Sequence, residues 1–212
     1  MAKLPQGIFG PIIGKVGPVV GAKWKDISYV RSRASKSVKP PTLAQLSSRG
    51  KFKFINKFFM PFHSYLSIGL MNKAKSMTPL NVAYSMNHKQ MVQGTYPNFT
   101  IDYSEFRWSE GSLPTLIGLQ VEKTDVNVLK LTWEQDNRRS TVFNDQVMLL
   151  IYCPALKLTD GFLNGVNRAD KHCNFSINPK FAGHEVEVYI SLCSLNRKKI
   201  AHSQYLGRFP MF

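Results

Sequence analysis

The chain has 212 residues, of which 43% are apolar and 12% aromatic, and it carries 28 Lys and Arg against 13 Asp and Glu. This composition can form a sizeable core, so it excludes an intrinsically disordered protein. Three cysteines, Cys153, Cys173 and Cys193, lack C-x-x-C spacing. They indicate neither a disulfide framework nor a thiolate zinc site, and we expect buried thiols.

The positive charge is concentrated in the first third of the chain. Residues 1–80 hold 14 basic residues against one acid, Asp26, a net charge of +13. Residues 81–212 hold the other 14 basic residues against 12 acids, a net charge of +2. The natural partner of the first third is therefore a polyanion or an acidic protein surface.

The first predicted element is a glycine-rich extended arm with a basic linker, together residues 1–41. Pro11 and Pro18 disfavour a helix, since each would cost ~3 kcal/mol inside one. We expect short strands near 19–20 and 27–31, with the backbone lying closely against another surface. The alternative is a loosely held tail. The residues assigned to this assembly arm are Gly7, Gly10, Gly14, Gly17, Gly21 and Trp24.

Residues 42–94 are predicted to be helical. Thr42 and Gln45 have the spacing of a capping box, and an apolar stripe follows at intervals of three and four. Pro61 should interrupt the stripe, which predicts helices over 42–59 and 61–72. Thr78 followed by Pro79 predicts another helix start, continuing to about residue 90.

Basic residues and phenylalanines alternate over residues 49–59, which superficially matches the aromatic strand of RNA-recognition domains. Lysines occupy three positions of that pattern that require glycine, a small residue or an aromatic ring. We therefore interpret the phenylalanines as core residues and the lysines as a solvated face.

Residues 95–212 are predicted to form an antiparallel sandwich. Strand-like segments are separated by turn clusters, including Asp160-Gly161, and no helical pattern intervenes. Trp133 is expected in the core, and Glu187 on a solvated strand face. The predicted strands are 99–103, 116–122, 126–133, 145–153, 172–177, 185–194 and 199–206.

The whole chain resembles a family of short, basic bacterial proteins of unknown function. The resemblance implies no activity and no functional residues. The C-terminal half also resembles a fibronectin-type or immunoglobulin-like sandwich, a scaffold used more often for adhesion and assembly than for catalysis. The residues that carry the family resemblance are Gly14-Lys15-Val16-Gly17, Val19-Val20-Gly21, Trp24-Lys25, Arg31-Ser32, Thr42, Gln45, Arg49, Phe52 and 202–207.

Catalytic and metal-binding patterns are absent from the sequence. No G-x-S-x-G element occurs, and His172 and Cys173 are neighbours whose side chains point to opposite faces of a strand. The five histidines lack metal-ligand spacing. We therefore expect no enzyme activity, no cofactor and no metal.

Two function hypotheses follow. The first is a non-catalytic structural protein that self-associates or joins a larger particle through its arm. The second is a sequence-nonspecific nucleic-acid binder, whose affinity would fall ~10³ to 10⁵-fold between about 50 and 200 mM salt if about 6 to 10 phosphates are neutralised. The candidate polyanion-binding residues are Lys15, Lys23, Lys25, Arg31, Arg33, Lys36, Lys39, Arg49, Lys51, Lys53 and Lys57.

A membrane partner is not expected, because no apolar run reaches the roughly 18 to 20 residues that span a bilayer. A membrane-surface role for the arm is a third, weaker hypothesis, because basic and apolar residues there are not cleanly segregated. Prolines interrupt the apolar N-terminal residues, which argues against a Sec-type signal. The expected location is the cytoplasm, or a particle assembled without Sec-type export.

Overall fold

A computed structural model of the protein describes residues 2–35, 39–125, 127–136, 138 and 142–211. The chain divides into two compact units, Met1–Thr42 and Leu43–Phe212. The boundary predicted at 94/95 lies inside the second unit, which contains both the helical segment and the strands that follow it.

The first unit is a three-stranded antiparallel sheet in the order β1 (Gly14–Val16), β2 (Val19–Trp24) and β3 (Ile27–Ser32). Two-residue loops connect the strands, which fixes the pairing of Val16 with Val19 and of Trp24 with Ile27. Gly17, the first residue of the β1–β2 loop, has a φ of +54°, as the first central residue of a type II′ hairpin turn requires, and the proline after it fixes a negative φ at the second.

The second unit begins with helices that follow local sequence signals closely. Helix α1 (Leu43–Phe59) ends at a single 3₁₀ turn (Met60–Phe62) that contains Pro61, and α2 (His63–Gly69) continues from it. Helix α3 (Pro79–Asn87) is capped by Thr78, whose hydroxyl accepts a hydrogen bond from the Asn81 amide at 3.2 Å.

The strands of this unit form one hairpin and two larger antiparallel sheets. The sheets have the orders β10-β7-β6 and β12-β11-β8-β9, and the hairpin is β4-β5. The strands are β4 (Val92–Thr95), β5 (Asn98–Ile101), β6 (Gln120–Asp125), β7 (Val128–Thr132), β8 (Gln146–Cys153), β9 (Leu158–Phe162), β10 (His172–Ser176), β11 (Glu185–Cys193) and β12 (Gln204–Pro210).

Two hydrophobic cores share the four-stranded sheet. Alternate residues of β8, such as Leu149 and Ile151, pack with Leu131 and Trp133 between the sheets, in what we call the sandwich core. The intervening residues, such as Tyr152, pack against the helices in the helix-side core. Strands β8 and β11 are therefore buried on both faces, and the unit has three layers.

The prediction that Glu187 faces solvent is wrong, because the helical layer covers this face of the sheet. This residue lies in β11 with none of its surface exposed, instead of facing solvent. Tyr205 donates a hydrogen bond to its Oε2 at 2.6 Å, and Arg208 reaches Oε1 through Nε at 2.8 Å and Nη2 at 2.7 Å. These partners satisfy a carboxylate that would otherwise be costly to bury.

Other sequence expectations are confirmed or refined. Trp133 is 4% exposed in the sandwich core, and all three cysteines are buried and free. Phe52 is an exception among the phenylalanines of α1, since 52% of its surface is exposed. Asp160 and Gly161 lie inside β9 and not in a turn, with Gly161 at a φ of +128°.

Candidate functional site

One face of the N-terminal sheet is occupied by the segment that precedes it. Lys3 and Ile13 exchange backbone hydrogen bonds at 2.8 and 3.0 Å, which fixes the ends of this segment. A Cβ atom at Gly21 would lie 1.9 Å from the Ile12 carbonyl oxygen, so the backbone at residue 12 passes directly over the sheet. Gly21 is the only fully buried residue among the described residues of this unit.

The opposite face of the sheet, which we call the open face, combines apolar and basic side chains. Cross-strand partners share a face, so the pair Trp24–Ile27 lies beside the pair Ala22–Tyr29. Trp24, Ile27 and Tyr29 are 48%, 69% and 44% exposed. The next row consists of Lys15, Val20 and Arg31.

Strand β3 is an edge of the sheet. Its residues pair with β2 on one side, and no other described strand pairs with it. All six of its residues are exposed. An edge of this kind presents unpaired backbone donors and acceptors to any strand that approaches it.

The glycines assigned to the assembly arm have positive φ values or make close backbone contacts within the first unit. Gly7, Gly14 and Gly17 have φ values of +75°, +104° and +54°, which other residues rarely adopt. Gly10 lies close to Gln6, and Gly21 admits the backbone at Ile12. Trp24 alone among the six presents a large exposed surface.

The predicted polyanion-binding residues fall into two groups in different units. Lys15, Lys23, Lys25, Arg31, Arg33 and Lys39 belong to the first unit, and Lys36 lies outside the described residues. Arg49, Lys53 and Lys57 follow one another at intervals of four along α1 and are all exposed, so they share one helix face. Lys51 lies off that row and is partly buried.

Most of these basic side chains have no acidic partner. None of the six ion pairs between described residues includes one of these candidate basic residues. Lys25 and Lys39 each take part in another interaction, so they are not counted as unpaired. The basic residues without an ion pair to a described residue are Lys15, Lys23, Arg31, Arg33, Arg49, Lys51, Lys53 and Lys57. Their charge is available to a partner.

A second polar group, missed by the sequence analysis, is buried in the larger unit. The guanidinium of Arg168 contacts Asp136 at 3.1 Å and Asp145 at 3.2 Å, and it donates to the Pro114 carbonyl at 2.6 Å. Hydrogen bonding to the side chain of Arg138 lowers the pKa of Asp136. Asp136, Asp145 and Arg168 lie on separate segments of the chain, so no short sequence motif indicates that their side chains meet.

The described residues show no arrangement typical of a metal centre. No three His, Cys, Asp or Glu side chains among them come together as metal ligands would. Cys173 is buried whereas the neighbouring His172 is exposed, as expected for consecutive strand residues. No helix in the described part of the chain is both long and apolar enough to cross a bilayer.

Comparison with solved structures gave partial matches. A chain described as a myokine structure is 10% identical with a TM-score of 0.34, covering 47% of this chain and 98% of that one. The fn3 domain of the human collagen alpha-1(XX) chain is 16% identical with a TM-score of 0.34, covering 49% of this chain and 90% of that one. No curated protein matched.

The fold class predicted from sequence is confirmed as α+β, with an antiparallel β-sandwich in the C-terminal half. The model of a family described as "Family of unknown function (DUF6266)" matches residues 11–207. This match covers both units and confirms the predicted resemblance to a family of unknown function. The chain therefore belongs to the family of unknown function DUF6266.

Proposed function

We propose that this protein is a non-catalytic structural protein that associates with copies of itself, or with a larger particle, through its N-terminal sheet. The observation that carries the proposal is strand β3, which is exposed along its whole length and, among the described strands, pairs with β2 alone. A strand from a partner would complete its backbone hydrogen bonding, as in β-strand addition.

The composition of the first unit supports the same function. A small sheet with a single buried described residue cannot supply much hydrophobic stabilisation by itself. The sheet exposes Trp24, Ile27, Tyr29 and Val30, and the preceding segment exposes Phe9 almost completely, at 98%. Exposed apolar surface of this kind is typical of an interaction site.

We expect the full chain to form dimers or larger species whose mass rises with concentration in size-exclusion chromatography with light scattering. Gly21→Val should abolish them, because the new side chain would collide with the Ile12 carbonyl. Ile27→Lys should weaken them while the sheet still folds, since Ile27 is 69% exposed.

Gly7→Asn is the matched control for this experiment. A Cβ at Gly7 meets no described atom within 4 Å, and asparagine tolerates the φ of +75° there. This variant should associate like the wild type. A monomeric wild type at every concentration would refute the proposal, as would unchanged association of both Gly21→Val and Ile27→Lys.

A second candidate function is sequence-nonspecific binding of single-stranded nucleic acid. The open face favours it, because Trp24 and Tyr29 lie on the same face as Lys15 and Arg31. Such binding combines base stacking on aromatic rings with phosphate neutralisation. The experiments for the two functions are separate, so either can fail alone.

If about two to four phosphates are neutralised at this face, affinity for a single-stranded oligonucleotide should fall about 7- to 50-fold between about 50 and 200 mM salt. This loss is smaller than the sequence suggested, because the basic residues are divided between two units. Fluorescence anisotropy should also show weaker binding by Trp24→Ala and Tyr29→Ala, but not by Phe9→Ala. A flat salt response or equal effects of all three variants would exclude this function.

A further inference from the structure

A cavity of about 260 Å³ lies in the larger unit, beside the helix-side core. Phe54 and Phe58 of α1 form one wall, and Ile101 and Tyr103 form another. Tyr152, near the end of β8, also lines it. All of its lining residues belong to the larger unit, and the inference does not rest on the function proposed above.

Tyr152 brings a hydroxyl group to this cavity. It is 4% exposed, and its hydroxyl has no hydrogen-bond partner among the described residues. Phe58, Phe62 and Tyr103 fix its ring, with centroids 5.6, 4.7 and 6.0 Å away. The hydroxyl oxygen keeps some accessible surface, so it can donate a hydrogen bond to a ligand atom that enters the cavity.

Burial raises the pKa of Tyr152 to about 12. The hydroxyl therefore stays protonated at neutral pH and can act as a donor. Burial also raises the pKa of Tyr103, whose hydroxyl likewise has no protein partner among the described residues. Two phenolic donors thus accompany the apolar side chains of the cavity.

Two lysines also line the cavity. Lys57 lies on α1, and Lys157 lies in the turn between β8 and β9; neither forms an ion pair with a described residue. Lys157 has a φ of +56°, and its amide donates to the Cys153 carbonyl at 2.8 Å. Glycine would adopt this conformation without strain, yet a cationic side chain is present.

We propose that this cavity binds a small aromatic carboxylate. The ring would lie among Phe54, Phe58 and Ile101, and the carboxylate would meet the two lysines and accept the hydrogen bond of Tyr152. A volume of about 260 Å³ equals that of roughly nine waters at about 30 Å³ each, which suits a single ring with a short acidic side chain. Apolar walls with a few convergent polar groups are typical of small-molecule sites.

The test uses the full chain and isothermal titration calorimetry with three probes: 3-phenylpropionate, its amide and acetate. We expect saturable binding of 3-phenylpropionate, binding of the amide weaker by about tenfold or more, and no binding of acetate. The amide retains the ring but loses the charge, and acetate retains the charge but loses the ring.

Variants then locate the site. Tyr152→Phe should weaken 3-phenylpropionate binding about tenfold without unfolding the chain, because the hydroxyl it removes has no protein partner. Lys57→Gln and Lys157→Gly should also weaken it, and the glycine relieves the positive φ. Lys53→Gln is the matched control, since Lys53 lies one turn from Lys57 on the same exposed row but does not line the cavity.

Three results would overturn the proposal. They are no saturable binding of 3-phenylpropionate to the wild type, equal affinity for the amide, or equal losses in Lys53→Gln and Lys57→Gln. A thermal melt of each variant separates a loss of binding from a loss of fold.

Discussion

Replacing Arg168 with methionine should lower the free energy of unfolding of the larger unit by about 3 to 5 kcal/mol. Arg168 is 4% exposed, and its partners Asp145 and Asp136 have side chains that are 1% and 2% exposed. Methionine fills a similar volume, but it removes the cation paired with the buried Asp145 carboxylate and one of the two cations that contact Asp136. Chemical denaturation with a fitted midpoint and slope measures the loss.

A double variant distinguishes the loss of the attraction between Arg168 and Asp145 from the cost of leaving the Asp145 carboxylate buried without a cation. Asp145→Asn combined with Arg168→Met should be less destabilising than the sum of the two single variants, by about 0.5 to 3 kcal/mol. Arg138→Met is the matched control, because Arg138 also binds Asp136 but its side chain is 48% exposed. Equal losses for Arg138→Met and Arg168→Met would show that burial does not determine the effect.

The helix boundaries could be predicted because their causes are local. Proline cannot continue a helix, so Pro61 ends α1, and a threonine followed by proline starts α3 at Thr78. The strands of the sandwich were predictable for a similar reason, since their β-branched and aromatic residues are separated by turn residues. Strands β1, β4 and β9 were missed, as all three are short and contain glycine.

Burial on the outer face of the four-stranded sheet could not be predicted from alternation alone. An acid within Val186–Ile190 ordinarily indicates a solvated face, but here the helical layer covers that face. The partners of Glu187 are Tyr205 and Arg208, on the neighbouring strand. Only the pairing of β11 with β12 brings these side chains together.

The candidate site at the N-terminal sheet was predicted in part. The strands near 19–20 and 27–31, and the role of Trp24 as an exposed aromatic, follow from local composition. The open face depends on strand register, which the two-residue loops at 17–18 and 25–26 could have supplied. The close contact predicted for the glycine backbone lies, at Gly21, within the unit itself.

Replacing Phe62 with alanine should destabilise the larger unit by about 3 to 5 kcal/mol. Phe62 is fully buried, and its ring lies 4.9 Å from Phe58, 4.9 Å from Phe106 and 4.7 Å from Tyr152. Since Tyr152 belongs to β8, this ring connects the helical layer to the four-stranded sheet. Loss of the ring removes contacts on both sides and leaves a cavity between the layers.

Hydrogen exchange read by mass spectrometry would show how far this damage spreads. The helices and the sandwich share strands β8 and β11, so we expect amides in α1 and in β7 to lose protection together, as in a single cooperative unit. Phe52→Ala is the matched control on the same helix, because Phe52 is 52% exposed and its removal should cost less than about 1 kcal/mol. Faster exchange in α1 with unchanged protection in β7 would instead mean that the helical layer opens independently of the sandwich beneath it.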